Sequence, residues 1–194
     1  MIPSKFILSH KPTQYRRQGP SHCGLFAAEG VISAYGKNSE NKHPKAFHQS
    51  LFQRIFGLTP PSLIVDTLRN YGFEVNHGNT KDMSNQERLL FLKKVLTNDT
   101  PIITHIGSGY WRNGSHKPLL GKLIGHWISL WGYDDNKEVF YIYDSIVAHC
   151  FHQKVPIGNV ARPYKNVLRD WGQGITPVPR RYEYVQVERI SRKL

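Results

Sequence analysis

The sequence predicts an α+β fold in one domain spanning residues 1–194, with a helix near the N-terminus packed on a mostly antiparallel sheet. Three patterns carry that expectation. Leu25, Ala28, Ile32 and Tyr35 recur at three- to four-residue steps, so residues 23–35 read as a buried helix of about three turns, stopped by Gly36. Residues 125–145 read as two strands, rich in β-branched and aromatic side chains, joined by a polar turn from Asp134 to Lys137. Tyr182, Tyr184, Val185 and Val187 lead to Ile190 and suit an extra strand late in the chain. Helix first and sheet mostly last is the α+β order. The chain's 194 residues suffice for one full core, and no linker or repeat divides them.

The intervening elements follow from local signals. Phe47, Leu51, Phe52 and Ile55 predict a helix over residues 44–56 that ends at Gly57. Pro60, Pro61 and Ser62 start another, with Leu63, Ile64, Val65 and Leu68 inward and Tyr71-Gly72 closing it. Residues 73–75 are a short strand. Ser84 and Glu87 form a capping box opening a helix to about Leu96. Residues 100–106 form a strand carrying His105, a core or substrate-wall histidine with no acid at hairpin distance. Residues 110–124 show no clear periodicity and read as a loop, a cleft wall or lid. A proline-rich connection spans residues 176–179.

Lys and Arg number 26 against 14 Asp and Glu, a formal charge of +12 that favours acidic partners: nucleic acid, an anionic membrane or an acidic polypeptide. The basic residues are dispersed, the densest groups being Arg16-Arg17, Lys93-Lys94, Arg180-Arg181 and Arg192-Lys193; none is a run long enough to be a binding footprint by itself, a solvated basic surface is the preferred explanation, and no nucleic-acid motif stands out. The N-terminal apolar island of three residues is too short for a signal-peptide core, and no segment approaches the ~20 apolar residues of a membrane span. The expectation is a soluble protein, cytoplasmic or exported without a cleaved signal. Its two cysteines are Cys23 and Cys150. A working thiol must be reduced, which points to a reducing compartment or late activation.

The chemistry centres on Cys23. It falls in the first turn of the predicted helix, where amide donors and the positive end of the helix dipole favour a thiolate. Gly19 and Pro20 argue for a sharp loop entering the helix, and Gly24 is expected to leave room for a substrate carbonyl. The motif requires a histidine elsewhere, and His126 opens the first hairpin strand. Asp144 ends the second. In an antiparallel hairpin those ends lie side by side, so a carboxylate can hold an imidazole in one tautomer while its other nitrogen faces a thiol. His22 is expected to be an exposed loop histidine. His149, Cys150 and His152 match no zinc spacing, and neither a metal nor a cofactor is called for.

The order Gln18, Cys23-Gly24 at a helix start, Gly125-His126-Trp127 opening a strand, Gly132-Tyr133-Asp134, then Asp144-Ser145 resembles the papain-like cysteine peptidases of the bacteriocin-processing, double-glycine leader type. Phytochelatin synthase is similar around the nucleophile. The resemblance covers residues 14–36 and 100–146. It implies a papain-like fold, a polypeptide or peptide-like substrate, Cys23 as nucleophile, His126 as general base and acid, and Asp144 as the orienting residue. It also implies a glutamine whose amide joins the Cys23 N–H around the oxyanion. Gln18 stands five residues before the cysteine, one closer than the family spacing, and Gln14 nine before; Gln18 is preferred. His22 replaces the acid found in transporter-linked members. The reaction expected is acyl transfer to water, making a cysteine peptidase or amidase. Acyl or dipeptidyl transfer on the same fold and a catalytically silent basic binding module are the alternatives.

Overall fold

Residues 125–134 form the strand around which the rest assembles. The computed structural model describes residues 1–19, 21–37, 43–47, 55, 57–110, 115–173 and 181–190. Its seven-stranded sheet comprises β1 (Lys5–Ile7), β2 (Phe73–Asn79), β3 (Ile102–Gly107), β4 (Gly125–Asp134), β5 (Val139–Tyr143), β6 (Val160–Pro163) and β7 (Glu183–Ile190), in the order β2-β7-β3-β4-β5-β6. Every pairing is antiparallel, and β1 adds to β4 beyond the end of β3. β4 is buried at every residue from 126 to 134, and β3 throughout. A strand buried without alternation is covered on both faces. The covering helices come in contacting pairs, α1 (Cys23–Ala34) with α2 (Pro61–Asn70) and α3 (Asn85–Thr97) with α5 (Tyr164–Trp171).

Helix α1 is buried from Gly24 to Ser33, as expected for an element apolar on all sides. Its Leu25, Val31 and Ile32 are fully inaccessible, each contributing about 1.5–3 kcal/mol by burial. Gly24 does not make room for substrate, contrary to the expectation from sequence. A Cβ there would lie 2.6 Å from Thr59 Cγ2 and 2.8 Å from Ile64 Cδ1, so this glycine lets α1 approach α2. Helix α3 begins with the expected capping box: Ser84 Oγ accepts from Glu87 N–H and the Glu87 carboxylate accepts from Ser84 N–H.

Several elements differ from the sequence reading. Residues 44–47 form a 3-10 turn, and most of the helix expected over 44–56 lies outside the described residues. β2 runs four residues past Val75 because β7 pairs along its whole length. The loop expected at 110–124 contains regular structure: Tyr110 bridges to His116, and α4 (Pro118–Leu123) follows. The late strand is not an appendage, for β7 lies inside the sheet between β2 and β3. The connection at 176–179 is outside the described residues. β1, β6 and α5 were not anticipated. No helix among the described residues is long and apolar enough to cross a membrane.

Candidate active site

The loop preceding α1 is tied down at each step. Gly158 N–H donates to Tyr15 Oη at 2.8 Å, Tyr143 Oη donates to the Arg16 carbonyl at 2.6 Å, and Gln18 N–H donates to the Ser145 carbonyl at 2.8 Å. These bonds lock residues 15–18 to the end of β5, the turn after it and the approach to β6. Gln18 is buried, and its Oε1 accepts from the Ser145 hydroxyl at 2.5 Å, which leaves its amide N–H groups as its donors.

His22 is buried, not the exposed loop residue expected. It starts α1 in a left-handed conformation, φ 79°, donates its N–H to the Gly57 carbonyl at 3.2 Å and shares a 2.6 Å hydrogen bond from ring Nδ1 with Ser21 Oγ. A sharp inward turn therefore sets the helix start. Its carbonyl accepts from Leu25 and Phe26 N–H, and Cys23 is the first helical residue, half-buried. No acidic side chain occupies the first turn, so nothing opposes an anion at the positive end of the helix. Glu29, fully buried two turns on, lies 3.9 Å from Arg16 Nε.

The strand register brings the remaining groups together. Leu130 opposes Ile142 and Phe140 opposes Arg162, so residues 126, 144 and 162 share one face of the sheet, with Asp144 just beyond β5. His126 Nε2 and Asp144 Oδ1 are 2.7 Å apart, both nearly inaccessible. Asp144 Oδ1 also accepts from Ile146 N–H at 3.0 Å, and the Arg162 guanidinium donates to Oδ2. Asn159 brackets the main chain of Asp144, accepting from its N–H and donating to its carbonyl at 2.8 Å each.

Charge follows from this geometry. Burial pushes the Asp144 carboxyl up, but the Arg162 and His126 charges and its hydrogen bonds outweigh that and hold it well below the ordinary carboxylate range. For His126, burial favours the neutral ring. Asp144, by charge and hydrogen bond, and to a smaller extent the neighbouring Cys23 sulfur reverse the direction and raise its pKa to about 10. With Nε2 on Asp144, Nδ1 is the nitrogen left for the sulfur. The structure thus brings Cys23, His126 and Asp144 together, with Gln18 held against the residue after Asp144.

Sequence reading missed Arg162, Asn159 and Tyr110. The Tyr110 ring covers Arg162, its centroid 3.6 Å from the guanidinium carbon, and its hydroxyl accepts from Asn166 Nδ2 at 3.2 Å. A signal for Arg162 existed: Val160-Ala161-Arg162-Pro163 alternates, placing an arginine on the buried side of a strand. Nothing local marks Asn159. His105 is buried in the sheet, its ring centroid 4.9 Å from that of Trp127, as a core histidine would be. His149 and His152 have ring centroids 4.9 Å apart, and among the described residues no group of three His, Cys, Asp or Glu side chains is placed to hold a metal ion. Both cysteines are free thiols.

A helix that starts at a cysteine, packed on an antiparallel sheet that carries histidine and carboxylate, is the fold of the papain-like cysteine peptidases. The chain belongs to the Peptidase C39-like family, whose model matches residues 10–169. Among solved structures, a protein described as a C39-like peptidase from Bacillus anthracis matches at 15% identity and a TM-score of 0.56, covering 95% of this chain and 98% of that one. Xylellain, a cysteine protease from Xylella fastidiosa, matches at 14% identity and a TM-score of 0.51, covering 97% and 87%. A double glycine motif protease from an AMS/PCAT transporter, in complex with the leader peptide, matches at 15% identity and a TM-score of 0.48, covering 92% and 99%. No curated protein sequence matches the chain.

Proposed function

We propose that the chain is a cysteine peptidase or amidase that cleaves a peptide-like amide through Cys23, with His126 as general base and acid, Asp144 as its orienting carboxylate and Gln18 as an oxyanion donor. The observation that carries this reading is a single imidazole, hydrogen-bonded to a buried carboxylate, beside the thiol at a helix start. The proton held on His126 lets the sulfur attack as thiolate. Sulfur adds to the amide carbonyl, and the Cys23 N–H and Gln18 amide bind the resulting O⁻. His126 then protonates the departing amine, the C–N bond breaks and a thioester remains. Water, deprotonated by the same imidazole, hydrolyses the thioester and restores the thiol.

Asp144 supports both half-reactions by fixing the ring through Nε2 and stabilising its charged form. Family membership supports the peptidase assignment. The test is digestion of a denatured protein mixture with wild type and Cys23→Ser, reading new N-termini by mass spectrometry. New termini from the wild type alone are expected, together with faster thiol-reagent labelling of Cys23 than of exposed Cys150. Equal cleavage by Cys23→Ser would overturn the reading.

A further inference from the structure

A cavity of about 450 Å³ lies among Arg16, Arg17, His43, His149 and His152, closed on one side by Phe26. The mechanism above uses none of these six residues, yet three of them neighbour it. Arg17 directly precedes Gln18, and Phe26 follows Cys23 by three residues on α1, about one helical turn. His152 lies with Nε2 3.2 Å from the Nδ2 of Asn159, the residue that brackets Asp144. The lining is cationic or imidazole on several sides and, among the described residues, includes no carboxylate. Glu29 neighbours Arg16 from within α1 and does not line the space. Arg17 and His149 are exposed and line it from different segments, the first from the loop before α1 and the second from the 3-10 turn His149–Phe151.

We infer that this cavity is a substrate subsite for a carboxylate, so that the preferred substrate is an acidic peptide with its anionic group one or two residues from the scissile bond. The inference rests on the reading of Cys23 as the attacking group. The reach follows from the setting: one helical turn is about 5.4 Å, and an extended peptide advances about 3.3 Å per residue. Guanidinium and imidazole N–H groups are charge-assisted or neutral donors suited to a carboxylate, and the +12 charge of the chain draws an anion from a distance. Phe26, beneath them, excludes water from one side and strengthens those contacts.

The experiment is calorimetric titration of Cys23→Ala, which binds without turnover. The probes are N-acetylated hexapeptide amides of Ala and Ser carrying one Glu at each position in turn, and the same peptides with Gln. At one or two positions Glu is expected to bind at least about tenfold more tightly than Gln, with the ratio shrinking from about 50 to about 500 mM salt. In Arg17→Gln/His149→Gln, built on the same background, the ratio is expected to fall near one; both side chains are exposed, and circular dichroism checks the fold. Gln peptides ending in a free carboxylate separate the sources, since tighter binding of these alone assigns the subsite to a chain terminus. Equal binding of every Glu and Gln peptide, or a Glu preference that survives the double substitution, overturns the inference. A wild type that cleaves nothing while the Glu preference holds counts against the peptidase reading alone.

Discussion

Replacing Arg162 by Met tests the electrostatic support of the site. The guanidinium is nearly inaccessible and donates to an equally buried Asp144 oxygen, beneath the Tyr110 ring. Met keeps an unbranched stem that Tyr110 can still cover, so charge is lost more than packing. Asp144 retains Ile146 N–H and His126 but loses the cation that does most to hold it ionised. Stranding one member of a buried pair costs about 3–5 kcal/mol. At ~2–4 °C per kcal/mol for a chain of this size, the melting temperature at pH 7 should fall by roughly 6–20 °C. The acid limb should move as well. Asp144 has a depressed folded-state pKa, so its contribution is present above the unfolded value of ~3.9 and is lost as pH falls toward the folded value. Without Arg162 the folded value rises, and the loss begins at higher pH. Thermal unfolding followed by circular dichroism between pH 3 and pH 7 reads both effects. A fall below about 3 °C, roughly 1 kcal/mol, with an unmoved acid limb would refute the argument.

Three further outcomes follow from the geometry. His126→Ala should slow iodoacetamide alkylation of Cys23 at pH 6 by roughly tenfold or more while leaving Cys150 unchanged, as mass spectrometry of the two peptides would register. His126 has a folded-state pKa of about 10 against ~6.5 unfolded, so its stabilisation is complete below ~6.5 and lost as pH rises through about 10; the urea midpoint should drop between pH 7 and pH 10 more in wild type than in His126→Gln. Gln18→Ala should lower kcat by about 10²–10³ with little change in KM once a peptide substrate is in hand, and an unchanged kcat would remove Gln18 from the oxyanion site.

The sequence made the α1 helix and the β4–β5 hairpin legible because each is a local pattern: apolar residues at helical spacing, and strands flanking a polar turn. Cys23, His126 and Asp144 were readable for the same reason, since each sits at the end of such an element and the hairpin register brings two of them together. Gln18 was readable from its order in the chain, although Ser145, which aims it, was noticed only as part of a motif. His22 was misread because its burial depends on Gly57, a contact 35 residues away that local polarity does not encode. Arg162 and Asn159 were missed because they reach Asp144 from a third strand and its approach, whose register no short-range signal fixes. β7 was recognised as a strand, but its position inside the sheet is set by long-range pairing with β2 and β3 rather than by its own residues.

That interior position of β7 has a consequence for biosynthesis. Among the described strands β2 pairs with β7 alone, so residues 73–79 lack that link to the sheet until residues 183–190 have left the ribosome. Up to that moment the growing chain carries two open strand borders, one on β2 and one on β3, each able to recruit a neighbouring nascent chain. Closure is therefore a late, all-at-once event of high contact order, and a translation product halted shortly before residue 183 is expected to be rich in aggregates rather than a smaller working version of the same fold.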